Sequence, residues 1–190
     1  MKDIVKAIIK EIDSCYQKSP FLVAIDGRCA SGKTTLASLL QKERSYPIIH
    51  MDHFFLRPEQ ASPERLAIPG ANIDFERFLE EVMKPIKKRR DFSYRPYDCH
   101  KRTLIEPVEV PVSDIYIIEG SYSLNPHLID DYNLKIFLDI DSSKQIERIR
   151  KRNGEAGLKV FSEKWIPLEE KYFSFYKIAD LCDLYFCNQE

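Results

Sequence analysis

The sequence predicts an α/β protein: a three-layer sandwich built on a parallel sheet of about five strands. Three observations point there. Short apolar runs recur along the chain, FLVAID (21–26), YPIIHMD (46–52), IYIIEG (115–120), LKIFLDID (134–141) and DLYFC (183–187). They lack polar alternation, as strands covered on both faces do. Segments of helical period separate them. The first run also ends on a glycine-rich stretch, GRCASGKTT (27–35), that opens a helix.

Taken in order, residues 2–17 form an amphipathic helix, with Ile4, Val5, Ile8, Ile9 and Ile12 on one face, and Pro20 breaks the chain. After the first strand, a helix is expected from Lys33 to about Glu43, then the second strand. Pro58, Pro63, Pro69 and Gly70 mark loop or broken helix. Asn72 or Asp74 caps the next helix, which runs to about Arg90 despite Pro85. Residues 91–113 read as short strands and loops, followed by the third and fourth strands. SSKQIERIRKRN (142–153) begins at a serine cap, GEAG is a break, and helix resumes from about Pro167 before the last strand. The length of 190 residues suits one domain. Within it residues 1–19 are an N-terminal helix and about 142–165 a short lid region.

Composition narrows the function classes. With 29 basic and 30 acidic residues the net charge is -1, so no bulk attraction to nucleic acid or to an anionic membrane is expected. No run approaches the roughly 20 apolar residues of a membrane span, and the N-terminus lacks the continuous apolar stretch of a signal peptide. A cytoplasmic location is expected. The five cysteines, Cys15, Cys29, Cys99, Cys182 and Cys187, include no CxxC pair, which argues against a zinc site or a disulfide framework. The patterns leave open whether the chain forms a homo-oligomer.

The chemistry starts at GRCASGKTT. Gly27, Gly32, Lys33 and Thr34 satisfy G-x-x-x-x-G-K-[ST] between a strand and a helix, the context that motif requires. Glycines let backbone wrap phosphate closely, and loop N–H groups with the helix N-terminus supply positive charge. The expected nucleotide-binding residues are Gly27, Arg28, Cys29, Ala30, Ser31, Gly32, Lys33, Thr34 and Thr35. Lys33 reaches the β and γ phosphates, and the Thr34 hydroxyl binds Mg²⁺ beside them. Cys29 reads as a small filler in the loop, with a thiol activated by loop N–H groups as the alternative.

Asp52, at the end of the second strand, is placed to accept the proton of an attacking hydroxyl; a solvated turn-capping Asp is the alternative. Of Phe54 and Phe55, one is core and one a pocket wall, with Phe54 assigned to substrate. His50 reads as strand packing. Glu119, ending the third strand, is the direct or outer partner of Mg²⁺. Asp139 and Asp141 read as turn residues. Arg148 and Arg152, spaced i,i+4, share a helix face and would neutralise charge on phosphates, a solvated basic face being the alternative. The KKRR run at 87–90 reads as a solvated helix end.

Together these motifs resemble the uridine kinase family of P-loop kinases, close also to phosphoribulokinase, pantothenate kinase and nicotinamide riboside kinase. MDHFF resembles the family segment that carries the acceptor-activating Asp, here Asp52. YRPYDCHKR (94–102) resembles its P-x-Y-D segment, which implies that Tyr97 and His100 face the acceptor. IIEG and ERIRKRN resemble its third-strand and lid segments. Two departures stand out. The lid's Asp is Asn153 and its later arginines are missing, and the family's D-H-P segment is replaced by AIPGANIDFERF (67–78), where Asp74 is the nearest candidate. The resemblance implies an ATP- (or GTP-) and Mg²⁺-dependent kinase acting on the hydroxyl of a small molecule, uridine or cytidine first. The alternatives are another acceptor, such as nicotinamide riboside, pantothenate or a sugar, or a nucleotide-binding regulatory protein with weak ATPase activity.

Overall fold

The structure, a computed structural model, describes residues 1–188. Helix α1 (Lys2–Cys15) leads into β1 (Phe21–Asp26) and α2 (Lys33–Arg44), then β2 (Ile48–His50). Helices α3 (Pro63–Ala67), α4 (Phe75–Phe78) and α5 (Lys84–Lys87) follow, then four short strands, β3 (Phe92–Tyr94), β4 (Tyr97–Asp98), β5 (Thr103–Leu104) and β6 (Val108–Val110). The chain finishes with β7 (Ile115–Glu119), β8 (Leu134–Asp139), α6 (Ser142–Val160), α7 (Ile166–Tyr176) and β9 (Leu184–Cys187). The main sheet has the order β2-β7-β1-β8-β9, and every pairing in it is parallel. β3 with β6 and β4 with β5 form two small antiparallel ladders to one side. The expected sandwich with five parallel strands is therefore present.

Each central strand faces two cores, which is why its sequence is apolar throughout. Phe21, Val23 and Ile25 pack with Val5, Ile8 and Ile12 of α1 and with Leu36 and Leu40 of α2. Leu22 and Ala24 point the other way, toward Phe78, Val82 and Ile86 from the 75–87 helix and Tyr172 and Phe173 of α7. β8 repeats the alternation, with Leu134, Ile136 and Leu138 on the first face and Phe137 on the second. Among the described residues no helix is long and apolar enough to cross a membrane.

The structure settles or revises several boundaries. β2 ends at His50, and Met51–Phe54 coil into a 3₁₀ turn, so Asp52 lies beyond the strand. Asp74 caps the helix after it, its carboxylate accepting the N–H of Arg77 at 3.0 Å. That helix tolerates Pro85 because a π turn, Leu79–Met83, interrupts it. Pro85 thereby falls in the first turn of α5, where an N–H has no helical partner to lose. The cap of α6 is Asp141, which accepts the N–H of Ser143 at 2.8 Å, and Ser142 is the first helical residue. GEAG does interrupt the helix, since Gly154 adopts the non-helical φ 69°, ψ -179°, but helix resumes directly after it, continuing to Val160 and through a π turn, Phe161–Trp165, into α7. No other residue type adopts that backbone readily, so the bend is sited by the glycine.

Candidate nucleotide and acceptor site

The carboxyl ends of β1, β2 and β7 open onto a cavity of about 1190 Å³. It exceeds the roughly 300–1,000 Å³ of a pocket for one small ligand. Gly32, Lys33, Thr34 and Thr35 line one end of it, and Asp52, Phe55 and His100 are in its wall as well. α2 starts at this loop with Gly32 as its cap residue and no side-chain cap, so no side chain of the helix start occupies its first N–H groups.

Within the loop Lys33 is nearly buried. Its Nζ donates to the carbonyls of Gly27 (2.7 Å) and Arg28 (3.0 Å), with Ser121 Oγ at 3.4 Å. Ser31 is fully buried and its hydroxyl has no protein partner. An orphaned hydroxyl in a loop beside a buried ammonium suits a phosphate-binding cradle. The Arg28 side chain turns away from the cradle to bind Asp139 and Glu170. Cys29 is filler: burial pushes its thiol up to about 12, so no thiolate forms there near neutral pH.

The second half of the site is acidic. Thr34 Oγ1 donates to Glu119, 3.1 and 3.2 Å from its two oxygens. His50 Nδ1 lies 2.5 Å from Glu119 Oε1, so His50 is a partner of that carboxylate and not merely strand packing. Protein mass around Asp52 raises its carboxyl above the ordinary value; Lys33 opposes this, while Glu119 and Glu169 reinforce it. The carboxylate nevertheless stays open to the cavity. It abuts Gly120, where a Cβ would lie only 3.2 Å from Asp52 Oδ1.

No cluster of three or more His, Cys, Asp or Glu among the described residues forms a cage for a metal. Mg²⁺ beside phosphates needs only one or two carboxylates, and the Thr34 hydroxyl with Glu119 offers that donor set.

Helix α6 and Asn188, just after β9, hold the loop from behind. Arg148 Nη1 donates to the carbonyls of Ala30 (2.9 Å) and Ser31 (3.3 Å), so its guanidinium clasps loop backbone. Gln145 donates to Cys29 O at 3.1 Å, and Asn188 to Ser31 O at 2.7 Å. Arg152 lines the cavity, its Nε on Asn153 Oδ1 at 2.8 Å and its guanidinium 5.4 Å above the Phe161 ring.

Three of the expected acceptor residues lie elsewhere. Phe54 is fully buried against Phe78 and Tyr94, and Phe55 takes the cavity wall instead. The 3₁₀ turn explains the exchange, since it rotates Phe54 inward where an extended strand would alternate differently. Asp74 is consumed as a helix cap and as acceptor for Gln60 Nε2 at 2.8 Å, and it is 1% exposed. Tyr97 is buried in the β4–β5 ladder, whereas Cys99 and His100 at the turn reach the cavity. Asp139 and Asp141 serve loop and cap, as turn residues do.

Two buried carboxylates were not anticipated. Glu169 of α7 accepts the N–H of Cys29 at 2.9 Å and the hydroxyl of Ser121 at 2.6 Å. Asp26 accepts N–H bonds from Gly27 (2.7 Å), Tyr122 (3.1 Å) and Leu124 (3.0 Å) and the Tyr172 hydroxyl (2.9 Å). Burial raises Asp26 to about 6 against the pull of those donors. It fastens the start of the phosphate loop to the loop after β7.

His53 gives a stability prediction. It sits edge-on to His50, with Tyr94 OH 3.1 Å from Nδ1, and burial lowers its pKa to about 4. The folded state thus refuses a proton that the unfolded chain takes below about 6.5. Stability is unaffected above that pH and falls as pH drops from 6.5 toward 4. Between pH 7 and 5 the loss is about 1–2 kcal/mol, allowing for partial exposure. Urea midpoints of wild type and His53→Gln across that range check it, because the variant should lack this part of the decline.

No protein-family model matches the chain. Uridine-cytidine kinase B of Dictyostelium discoideum is 28% identical over 147 residues, 72% of this chain and 59% of the relative. A uridine kinase of Ureaplasma parvum is 28% identical over 131 residues, 64% of this chain and 63% of the relative. Uridine kinase-like protein 3 of Arabidopsis thaliana is 26% identical over 145 residues, 70% of this chain and 31% of that protein. The chain thus spans less than two thirds of the length of these curated relatives. In structure it is similar to a protein of Bacillus stearothermophilus described as a possible uridine kinase. That match has a TM-score of 0.73 and 20% identity, over 97% of this chain and 98% of the other.

Proposed function

We propose, for a chain that resembles the uridine kinase family in sequence and the P-loop kinases in fold, that it transfers the γ-phosphate of ATP to a hydroxyl of a small-molecule acceptor, a nucleoside such as uridine or cytidine first. The observation that carries this reading is the pairing of a phosphate cradle with an open carboxylate: Lys33 and Thr34 share one cavity with Asp52.

In this reading the loop and the N-terminus of α2 hold the triphosphate, and Lys33 neutralises its terminal oxygens. Thr34 and Glu119 are the residues that would hold Mg²⁺, which when bound would screen phosphate charge. Asp52 orients the acceptor hydroxyl and takes its proton as the oxygen bonds to the γ-phosphorus. The bond from that phosphorus to the bridging oxygen breaks, and ADP carries the electron pair away. Arg152 at the cavity wall is placed to offset developing charge, while Arg148 holds the loop in shape.

The test is an acceptor panel with Mg²⁺-ATP: nucleosides, nicotinamide riboside, pantothenate and simple sugars, read by mass spectrometry for a monophosphate. A product that requires both ATP and one acceptor is expected. Binding of ATP by calorimetry with no acceptor bound or phosphorylated would instead favour a nucleotide-binding regulatory protein.

A further inference from the structure

A second cavity of about 320 Å³ adjoins the main one. Phe55, Cys99 and Trp165 belong to the lining of both, so the two share that stretch of wall. Asp52 precedes Phe55 by three residues, whereas no residue of the phosphate loop touches the smaller cavity. Its walls come from the segment 55–72, from Cys99 and from 164–171, with Asn72 contributing an amide. Leu56, Leu66, Ile68 and Leu168 make them apolar. Leu66 and Ile68 remain 45% and 51% exposed, an arrangement that leaves apolar surface in water at the rim.

The charges nearby do not change this character. Lys171 Nζ donates to the carbonyl of Ala67 at 3.1 Å, and Lys164 Nζ lies 4.4 Å from the centre of the Trp165 ring. Both ammonium groups have partners on the protein, and the aliphatic side chains of the lining suit an apolar occupant. Phe55 and Trp165, with ring centres 5.9 Å apart and tilted by 44°, form an aromatic part of the wall shared by the two spaces.

We propose that this side pocket receives an apolar substituent of the phosphate acceptor, a ring or short hydrocarbon. At the ~30 Å³ share of a liquid water, the pocket holds on the order of ten non-hydrogen atoms. It selects hydroxyl acceptors that carry such a group over bare polyols and sugars. The inference rests on the phosphotransfer reading above for the word acceptor, and on the cavity alone for the binding of the apolar group.

Trp165 is the chain's single tryptophan, so its emission reports occupancy without any turnover. The probes are 3-phenylpropan-1-ol, glycerol and uridine, each titrated with Mg²⁺-ATP present, and each also assayed for ATP-dependent phosphorylation. The phenyl alcohol should shift Trp165 emission saturably, with a dissociation constant at least about tenfold below that of glycerol. Ala61→Phe, which fills the pocket, and Leu66→Gln, at its exposed rim, should both weaken that response while ATP affinity stays unchanged. Phosphorylation of uridine with no Trp165 response to the phenyl alcohol, or a response unaltered by Ala61→Phe, overturns the side-pocket assignment and leaves the kinase reading standing. A response abolished by Ala61→Phe with no compound phosphorylated overturns the kinase reading and keeps the apolar site. Neither response nor phosphorylation overturns both.

Discussion

Asp52→Asn should lower kcat by about 100- to 10,000-fold, the range a positioned general base contributes, and leave nucleotide affinity close to wild type. Asparagine keeps the shape and still hydrogen-bonds an acceptor hydroxyl, but it has no carboxylate to take the proton. The hydrogen bonds of the phosphate cradle do not run through Asp52: Lys33 donates to the carbonyls of Gly27 and Arg28, and Thr34 to Glu119. The loss should therefore fall on kcat and not on the KM for ATP. Calorimetry with ATP and steady-state kinetics on the same preparation separate the two. A variant with wild-type kcat would end the assignment of Asp52. The raised pKa of its carboxyl adds an expectation: the base titrates closer to the working pH than a solvated carboxylate would, so activity should fall on the acid side before nucleotide binding does.

Legibility in the sequence followed the range of the interaction. The sheet was readable because burial on both faces leaves an unbroken apolar run, as in FLVAID and IYIIEG. The phosphate loop was readable because its chemistry lies in consecutive residues. That Asp52 and Glu119 line the same cavity as the loop was readable because each follows or ends a strand at the side of the sheet where ligands lie. What failed depended on a local rotation or on distant partners. Phe54 and Phe55 exchanged roles on a single 3₁₀ turn. Arg148 faces the loop carbonyls because α6 packs behind the loop, which i,i+4 spacing does not reveal. Glu169 sits 140 residues from Cys29, whose N–H it accepts, so no local pattern flags it. Asp26 did carry a signal: a carboxylate closing an otherwise apolar buried strand must find donors, and it found four.

Gly27→Ala should be the most destabilising small substitution in the chain. Gly27 has φ +135°, outside the region open to residues with a side chain, and an added Cβ would fall 2.0 Å from the carbonyl oxygen of Leu138. The clash is with backbone of β8, a strand paired to both β1 and β9, so no side chain can swing aside to relieve it. Strain and clash together exceed the ~1–3 kcal/mol of a strained residue alone, and more than about 4 kcal/mol is expected. The same shift would pull Gly27 N–H off Asp26 and disturb the carbonyl that holds Lys33, so nucleotide binding should vanish along with stability. Gly154→Ala is the control. Its φ is also positive, at 69°, but a Cβ there meets nothing within 4 Å, so only backbone strain remains, about 1–3 kcal/mol. Urea midpoints of the two variants should therefore differ widely although both replace a positive-φ glycine by alanine. Equal shifts would mean that conformational strain, and not the contact with Leu138, dominates at the mouth of the cradle.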